Sequence, residues 1–277
     1  MRIVEARRVL AAERGGSSWP IVVETDDGLR FTKLRGAAQG TGPLVAEVIV
    51  GGLAEALGLH VPARSLVVIP AALASDDRDE ELADLLRASR GLNLGFEYLE
   101  HSRPLRPEAI GAVRRDEAAA IVWLDGLVMN PDRTERNPNL LWRSDGGLSL
   151  VDHGAALGFQ YDWADVDEAA PRRPWATREP HLLRARVPDL SPWDAAFAAR
   201  IPREVVERAI EEVPDTFLEP LVATRDGLVT PETVRRRRGA YGAFLWKRLQ
   251  PPRPFLTAAA QSGPAPKRGA PGWLRRG

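Results

Sequence analysis

The sequence predicts an α+β fold: a small β-rich N-terminal part over about residues 1–98, then a larger, mainly helical part over about 99–250. Three observations carry this. Short β-branched, alternating segments punctuated by Gly and Asp-Gly fill much of the first hundred residues. After Pro107, long apolar stretches with helical spacing dominate. One hairpin signal interrupts them, with strands at residues 139–142 and 148–151 across the turn Ser144-Asp145-Gly146-Gly147.

Composition narrows the function classes. The 277 residues are 44% hydrophobic, enough for one two-lobed domain or two small ones. Lys+Arg and Asp+Glu are both 38, so net charge makes no case for nucleic acid or an anionic membrane. The absence of cysteine excludes disulfides and Cys-based zinc sites. Met1-Arg2-Ile3-Val4-Glu5 is not a signal-peptide pattern, and no apolar run approaches the ~20 residues that span a bilayer. A soluble cytoplasmic protein is the expectation.

Residues 3–12 read as a strand. The Gly/Ser loop Arg14-Gly15-Gly16-Ser17-Ser18-Trp19-Pro20 follows. Such a loop at a sheet edge can present backbone N–H groups to phosphates, which makes Gly15, Gly16, Ser17 and Ser18 candidates by position. Residues 21–24 and 29–34 are strands around the turn Asp26-Asp27-Gly28. Alternation places Leu29, Phe31 and Lys33 on one face. A Lys on the side of a Leu and a Phe calls for an anion, unless the strand frays and solvates it. After the loop at 35–42, Pro43 opens a helix that runs to about Leu57, with Leu44, Val48, Leu53 and Leu57 at helical spacing. Glu47 lies in it, and Glu55 is the competing acid farther along. Residues 65–70 read as a buried strand, 75–81 as an exposed acidic stretch, and 82–86 as helical. Residues 91–99 form a Gly-punctuated apolar segment, expected near the junction of the two parts.

Residues 116–129 form a buried helix that delivers a loop at Asn130. Asp125, inside it, is expected to orient that loop or to pair with a base such as Arg133. After Gly154 comes a loop rich in Asp, Pro and Trp. Helices are expected at 190–199, 202–212 and 231–249, punctuated by Pro214-Asp215 and Asp226-Gly227. The run Arg235-Arg236-Arg237-Arg238 reads as a solvated helix face. From Pro251 to the end the Pro-, Gly- and Ala-rich chain is expected to be disordered.

The chemistry gathers at the hairpin. An antiparallel pair returns its ends to one place. Asp132 and Asn137, just before the first strand, should therefore lie near Asp152, just after the second. Two acids and an amide make an oxygen-ligand site for a hard cation such as Mg2+, although each alone is also an ordinary turn former. Order and spacing match a phosphoryl-transfer site. There an Asp receives the acceptor's proton, an Asn five residues on and an Asp-x-Gly after a hairpin hold metal, and a strand Lys paired with a helix Glu meets the phosphates.

Lys33-Leu34-Arg35-Gly36, Glu47, Leu57-Gly58-Leu59-His60-Val61-Pro62, Trp123-Leu124-Asp125-Gly126, the run from Asn130-Pro131-Asp132 to Asn137-Pro138-Asn139-Leu140-Leu141, and Val151-Asp152-His153-Gly154 together resemble the HipA-like kinase domain. The resemblance covers nearly the whole chain except the tail. It implies a two-lobed protein-kinase-like fold, ATP and Mg2+ as cofactors, and transfer of the γ-phosphoryl to a hydroxyl of a protein Ser/Thr or a small molecule. It implies Asp132 as catalytic base, Asn137 and Asp152 as catalytic metal ligands, and Lys33 with Glu47 at the phosphates; Asn139 competes with Asn137. Residues 91–99 would then touch the adenine. Asn-Pro-Asp stands where ordinary protein kinases have His-Arg-Asp, and Asp-His-Gly where they have Asp-Phe-Gly. A nucleotide-binding scaffold without transfer activity is the alternative.

Overall fold

The computed structural model describes residues 1–13, 19–75, 79–226 and 228–256. β1 (Arg2–Ala12), β2 (Ile21–Thr25), β3 (Gly28–Lys33), β4 (Arg64–Ile69), β5 (Ala74–Ser75) and β6 (Gly91–Glu97) form one sheet in the order β2-β3-β6-β4-β1-β5. The long β1 pairs on both sides. Its start runs parallel to β4, with Arg2 opposite Ser65 and Glu5 opposite Val68. Its second half runs antiparallel to β2, with Ala6 opposite Thr25 and Ala12 opposite Ile21. The pairings therefore close on themselves into a five-stranded barrel with β5 outside it. Register shifts after Ala6 and after Val9 supply the bend that closure needs.

The barrel interior takes every inward residue of the alternating strands, among them Val4, Val9, Ile21, Val23, Val67 and Ile69. Leu82 of α2 (Glu80–Ala88) packs against the same cluster. Asp79 caps that helix by accepting from the backbone of Glu81 and Leu82. The apolar segment expected near the junction is β6, a strand between β3 and β4, and its successor residues make the turn away from the barrel.

A second core is built on two helices that are buried over most of their length. α1 (Gly42–Ala56) carries Pro43 in its first turn and is buried from Gly42 to Gly51. α3 (Arg115–Val128) is buried at every residue from Ala118 to Val128. α4 (Ser191–Arg200), α5 (Arg203–Glu211), α6 (Asp215–Asp226) and α7 (Pro231–Leu249) surround them. β8 (Leu140–Trp142) and β9 (Leu148–Leu150) form the expected hairpin, with Leu140 opposite Leu150, and β7 (Arg103–Pro104) adds a third strand.

Three expectations are corrected. α6 occupies a stretch read as punctuation. Pro214 precedes it and Pro220 lies inside it, and tertiary packing of Phe217, Leu218 and Val222 outweighs that local signal. The arginine run is not simply a solvated face. Arg237 is buried with its guanidinium 4.9 Å from the Trp163 ring centroid, and Arg238 donates to the carbonyl of Ile210 at 2.6 Å. Disorder does not begin at Pro251. Phe255 is 1% exposed and lies edge-on to Trp123 at 5.6 Å, so residues 251–256 belong to the folded body. Residues 257–277 lie outside the described residues. Among the described residues, no helix is long and apolar enough to cross a membrane.

Candidate active site

β3 presents its two faces to different surroundings. Leu34, just beyond it, enters the barrel, while Phe31 and Lys33 line a cleft of about 490 Å³ between the barrel and the hairpin. Val61, Phe96, Tyr98, Leu141 and Leu150 give the cleft apolar walls, and Asp152 and His153 close its inner end. The anion that Lys33 calls for is present twice. Its Nζ donates to Glu47 Oε1 at 2.5 Å and to Asp152 Oδ1 at 2.6 Å. Glu55, the competing acid, pairs instead with Arg64 at 2.7 Å.

Glu47 is fully buried and is held from two sides. Besides Lys33, it accepts from the backbone N–H of His153 at 2.8 Å and from His153 Nδ1 at 3.1 Å. Burial alone would push its carboxyl up. The Lys33 charge and the His153 bond override this and bring it down to about 2. Burial likewise works against the Lys33 ammonium, but Glu47 and then Asp152 outweigh it and raise its pKa. Lys33 is thus a fixed positive charge facing an apolar cleft. His153 was legible only as the middle of Asp-His-Gly. Its grip on Glu47 depends on α1 lying beside the hairpin, which no local pattern announces.

The loop from Asn130 to Asn139 begins where α3 ends at Met129 in the left-handed region, φ 57°. Asp132 Oδ2 accepts from Asn137 Nδ2 at 2.9 Å. Asn139 Nδ2 donates to the Asp132 carbonyl at 2.7 Å. The hairpin then closes, with Val151 N–H on the Asn139 carbonyl at 3.1 Å. Asn139 and Asp152 both sit at positive φ, 47° and 55°. Non-glycine residues held there cost about 1–3 kcal/mol each and persist only where surrounding structure dictates them. Both flank the point where the hairpin's ends meet.

Lys33 joins Glu47 and Asp152 directly, Asn137 joins Asp132, and Asn139, bonded to the Asp132 carbonyl and to the Val151 N–H, links the two groups. Asp132 is half-buried, and its carboxyl is pushed up by burial and by the Asp152 charge against the opposing Asn137 bond. Gly15, Gly16, Ser17 and Ser18 lie outside the described residues.

The donor chemistry suits a hard cation. Asp152 is half-exposed to the cleft, and carboxylate and amide oxygens are the ligands that Mg2+ selects. Among the described residues, no three His, Cys, Asp or Glu converge as a complete metal cage. Mg2+ does not need one, because it keeps several waters and shares phosphate oxygens.

Beneath the loop lies Asp125, fully buried on α3. It accepts from Arg133 Nε at 2.6 Å and from Asn130 Nδ2 at 2.9 Å. Both roles expected of Asp125 thus hold: it pairs with Arg133, and by doing so it shapes the loop.

The sequence profile of the HipA-like kinase family matches residues 6–170. No curated protein sequence matches the chain. Among solved structures, that of the Helicobacter pylori proinflammatory kinase CtkA is similar with a TM-score of 0.46 and 14% identity, over 80% of this chain and 94% of that one.

Proposed function

We propose, from the premise that this chain belongs to the HipA-like kinase family, that it is an ATP-dependent phosphotransferase acting on a hydroxyl, as in a protein Ser/Thr. The observation that carries the proposal is the position of Lys33, one buried ammonium shared by Glu47 and Asp152 at the inner end of an apolar cleft. In this reading the barrel-bearing part, residues 1–98, and the helical part, residues 99–250, are two lobes with the nucleotide between them. The apolar walls take the adenine, and Lys33, oriented by Glu47, meets the phosphates. Asp152 and Asn137 hold Mg2+.

Phosphoryl transfer asks little covalent chemistry of a protein and much positioning. Asp132 orients the acceptor hydroxyl and takes its proton as the hydroxyl oxygen bonds to the γ-phosphorus and ADP leaves. Its raised pKa makes it a better proton acceptor than a solvated carboxylate, while its bond from Asn137 fixes its direction. Bound Mg2+ would neutralise charge on the phosphate oxygens. Lys33 does the same from the chain's side without reorganising, since its own partners already fix it.

Binding tests the first half of the reading. Calorimetric titration with ATP should show tight binding that requires Mg2+ in the wild type. Asp152→Asn should lose the Mg2+ requirement together with about tenfold or more of affinity. Unaltered metal-dependent binding by Asp152→Asn would remove Asp152 from the metal site.

A further inference from the structure

We infer that His181 is a positioning residue for phosphoryl transfer: through Asp125 it ties the segment following Asp152-His153-Gly154 to the loop that carries Asp132. The inference rests on the phosphotransferase reading above. Asp125 makes three buried attachments. Asn130 and Arg133 flank Asp132 in the chain, and His181, 56 residues away from Asp125, supplies the third, with Nε2 at 2.9 Å from Asp125 Oδ2. The ring's protonation follows from its partners. The Leu183 N–H donates to His181 Nδ1 at 3.1 Å, and an ionised Asp125 only accepts, so the single proton sits on Nε2.

Each attachment bears on Asp132. Asn130 Oδ1 accepts the Asp132 N–H at 3.1 Å. Arg133 reaches past the loop to the Asn139 carbonyl. The same segment makes two more bonds to this loop. Trp175 Nε1 donates to the Asn130 carbonyl at 3.1 Å, and the Leu182 N–H to the Arg133 carbonyl at 2.8 Å. These carbonyls stand on either side of Asp132, so the loop is gripped on both flanks by residues 175–182. The Trp175 and His181 rings lie edge to face at 5.5 Å, which locks the two donors to each other. A fourth link, Arg136 to Glu179 at 3.5 Å, is exposed and adds little. Displacing the segment therefore moves the groups that aim Asp132, whereas its own bonds go to Asp125, Asn130, Arg133 and Arg136 and not to Lys33, Glu47 or Asp152.

The test compares the full-length wild type with His181→Ala, His181→Gln and Trp175→Phe. Gln can return an N–H to Asp125; Phe keeps the ring of Trp175 and loses its donor. Amide hydrogen exchange over residues 130–137 and steady-state transfer from Mg-ATP are both measured. For His181→Ala, exchange in that stretch should accelerate about tenfold. Its kcat should fall about 100-fold while KM for Mg-ATP stays within about threefold. His181→Gln should recover most of both, and Trp175→Phe should show the same pattern at smaller size. Unchanged exchange over 130–137, or a rise in KM with unchanged kcat, would overturn the inference. Faster exchange alongside a wild type that transfers no phosphate would uphold the coupling and sink the phosphotransferase reading instead.

Discussion

Lys33 shows how one residue organises a site. A buried ammonium is costly unless paired, and removing one partner of a buried pair typically costs about 3–5 kcal/mol. Glu47→Gln should therefore destabilise the fold strongly at neutral pH. The pH dependence has a definite sign. The Glu47 carboxyl is held at about 2 in the fold against 4.5 ordinarily. Its contribution is fully present above about pH 4.5 and is lost as pH falls towards 2. Urea unfolding at pH 7, 4 and 3 should show the gap between wild type and Glu47→Gln shrinking with acidity; a gap independent of pH would refute the assignment. The two asparagines separate in the same way. Asn137 bonds the Asp132 carboxylate, whereas Asn139 bonds its backbone carbonyl. Asn137→Ala should raise the Mg2+ needed for half-maximal ATP binding by about tenfold. Asn139→Gly, which keeps the positive φ, should leave that concentration unchanged. The reverse pattern would make Asn139 the ligand.

At the scale of elements, what was legible had a local cause. Local signals, a strand for Lys33 and a Pro-opened helix for Glu47, place each residue; that the two pair is what the resemblance to kinases implies. The hairpin that joins Asp132 to Asp152 announced itself by its turn. α7 has the bounds the sequence predicts, because Pro231 begins it and Val234, Tyr241, Leu245 and Leu249 recur on its buried side. α6 and residues 251–256 depart from expectation for one physical reason: Pro214, Pro220, Pro251, Pro252 and Pro254 signal breaks locally, and only distant partners order these stretches. Gly126 makes the second case testable. A Cβ there would meet Phe255 side-chain atoms at 2.8–2.9 Å, so Gly126→Ala forces the ring out of its seat. Phe255→Ala should destabilise by about 3–5 kcal/mol and Gly126→Ala by about 1–3 kcal/mol, read from chemical denaturation. A neutral Phe255→Ala would mean that these residues are not part of the core in solution.

At the scale of the molecule, α1 carries Glu47 past the hairpin, and Lys33 to Asp152 is a side-chain bridge across the cleft between the barrel and the hairpin. That juxtaposition follows from topology: 119 residues separate the two partners, and only the motif order in the chain hinted at it. His181 and Trp175 gave no hint, because nothing local marks a loop residue that packs beneath a distant one. The central claim is that this meeting point transfers phosphate. The measurement that bears on it most directly is label transfer from γ-labelled ATP with Mg2+, to the protein itself and to a bacterial lysate, by wild type, Asp132→Asn and Asp152→Asn, each checked for folding. The account predicts transfer by the wild type and a loss of at least about 1000-fold in both folded variants. A wild type that binds Mg-ATP but labels nothing, or an Asp132→Asn protein as active as the wild type, would contradict it.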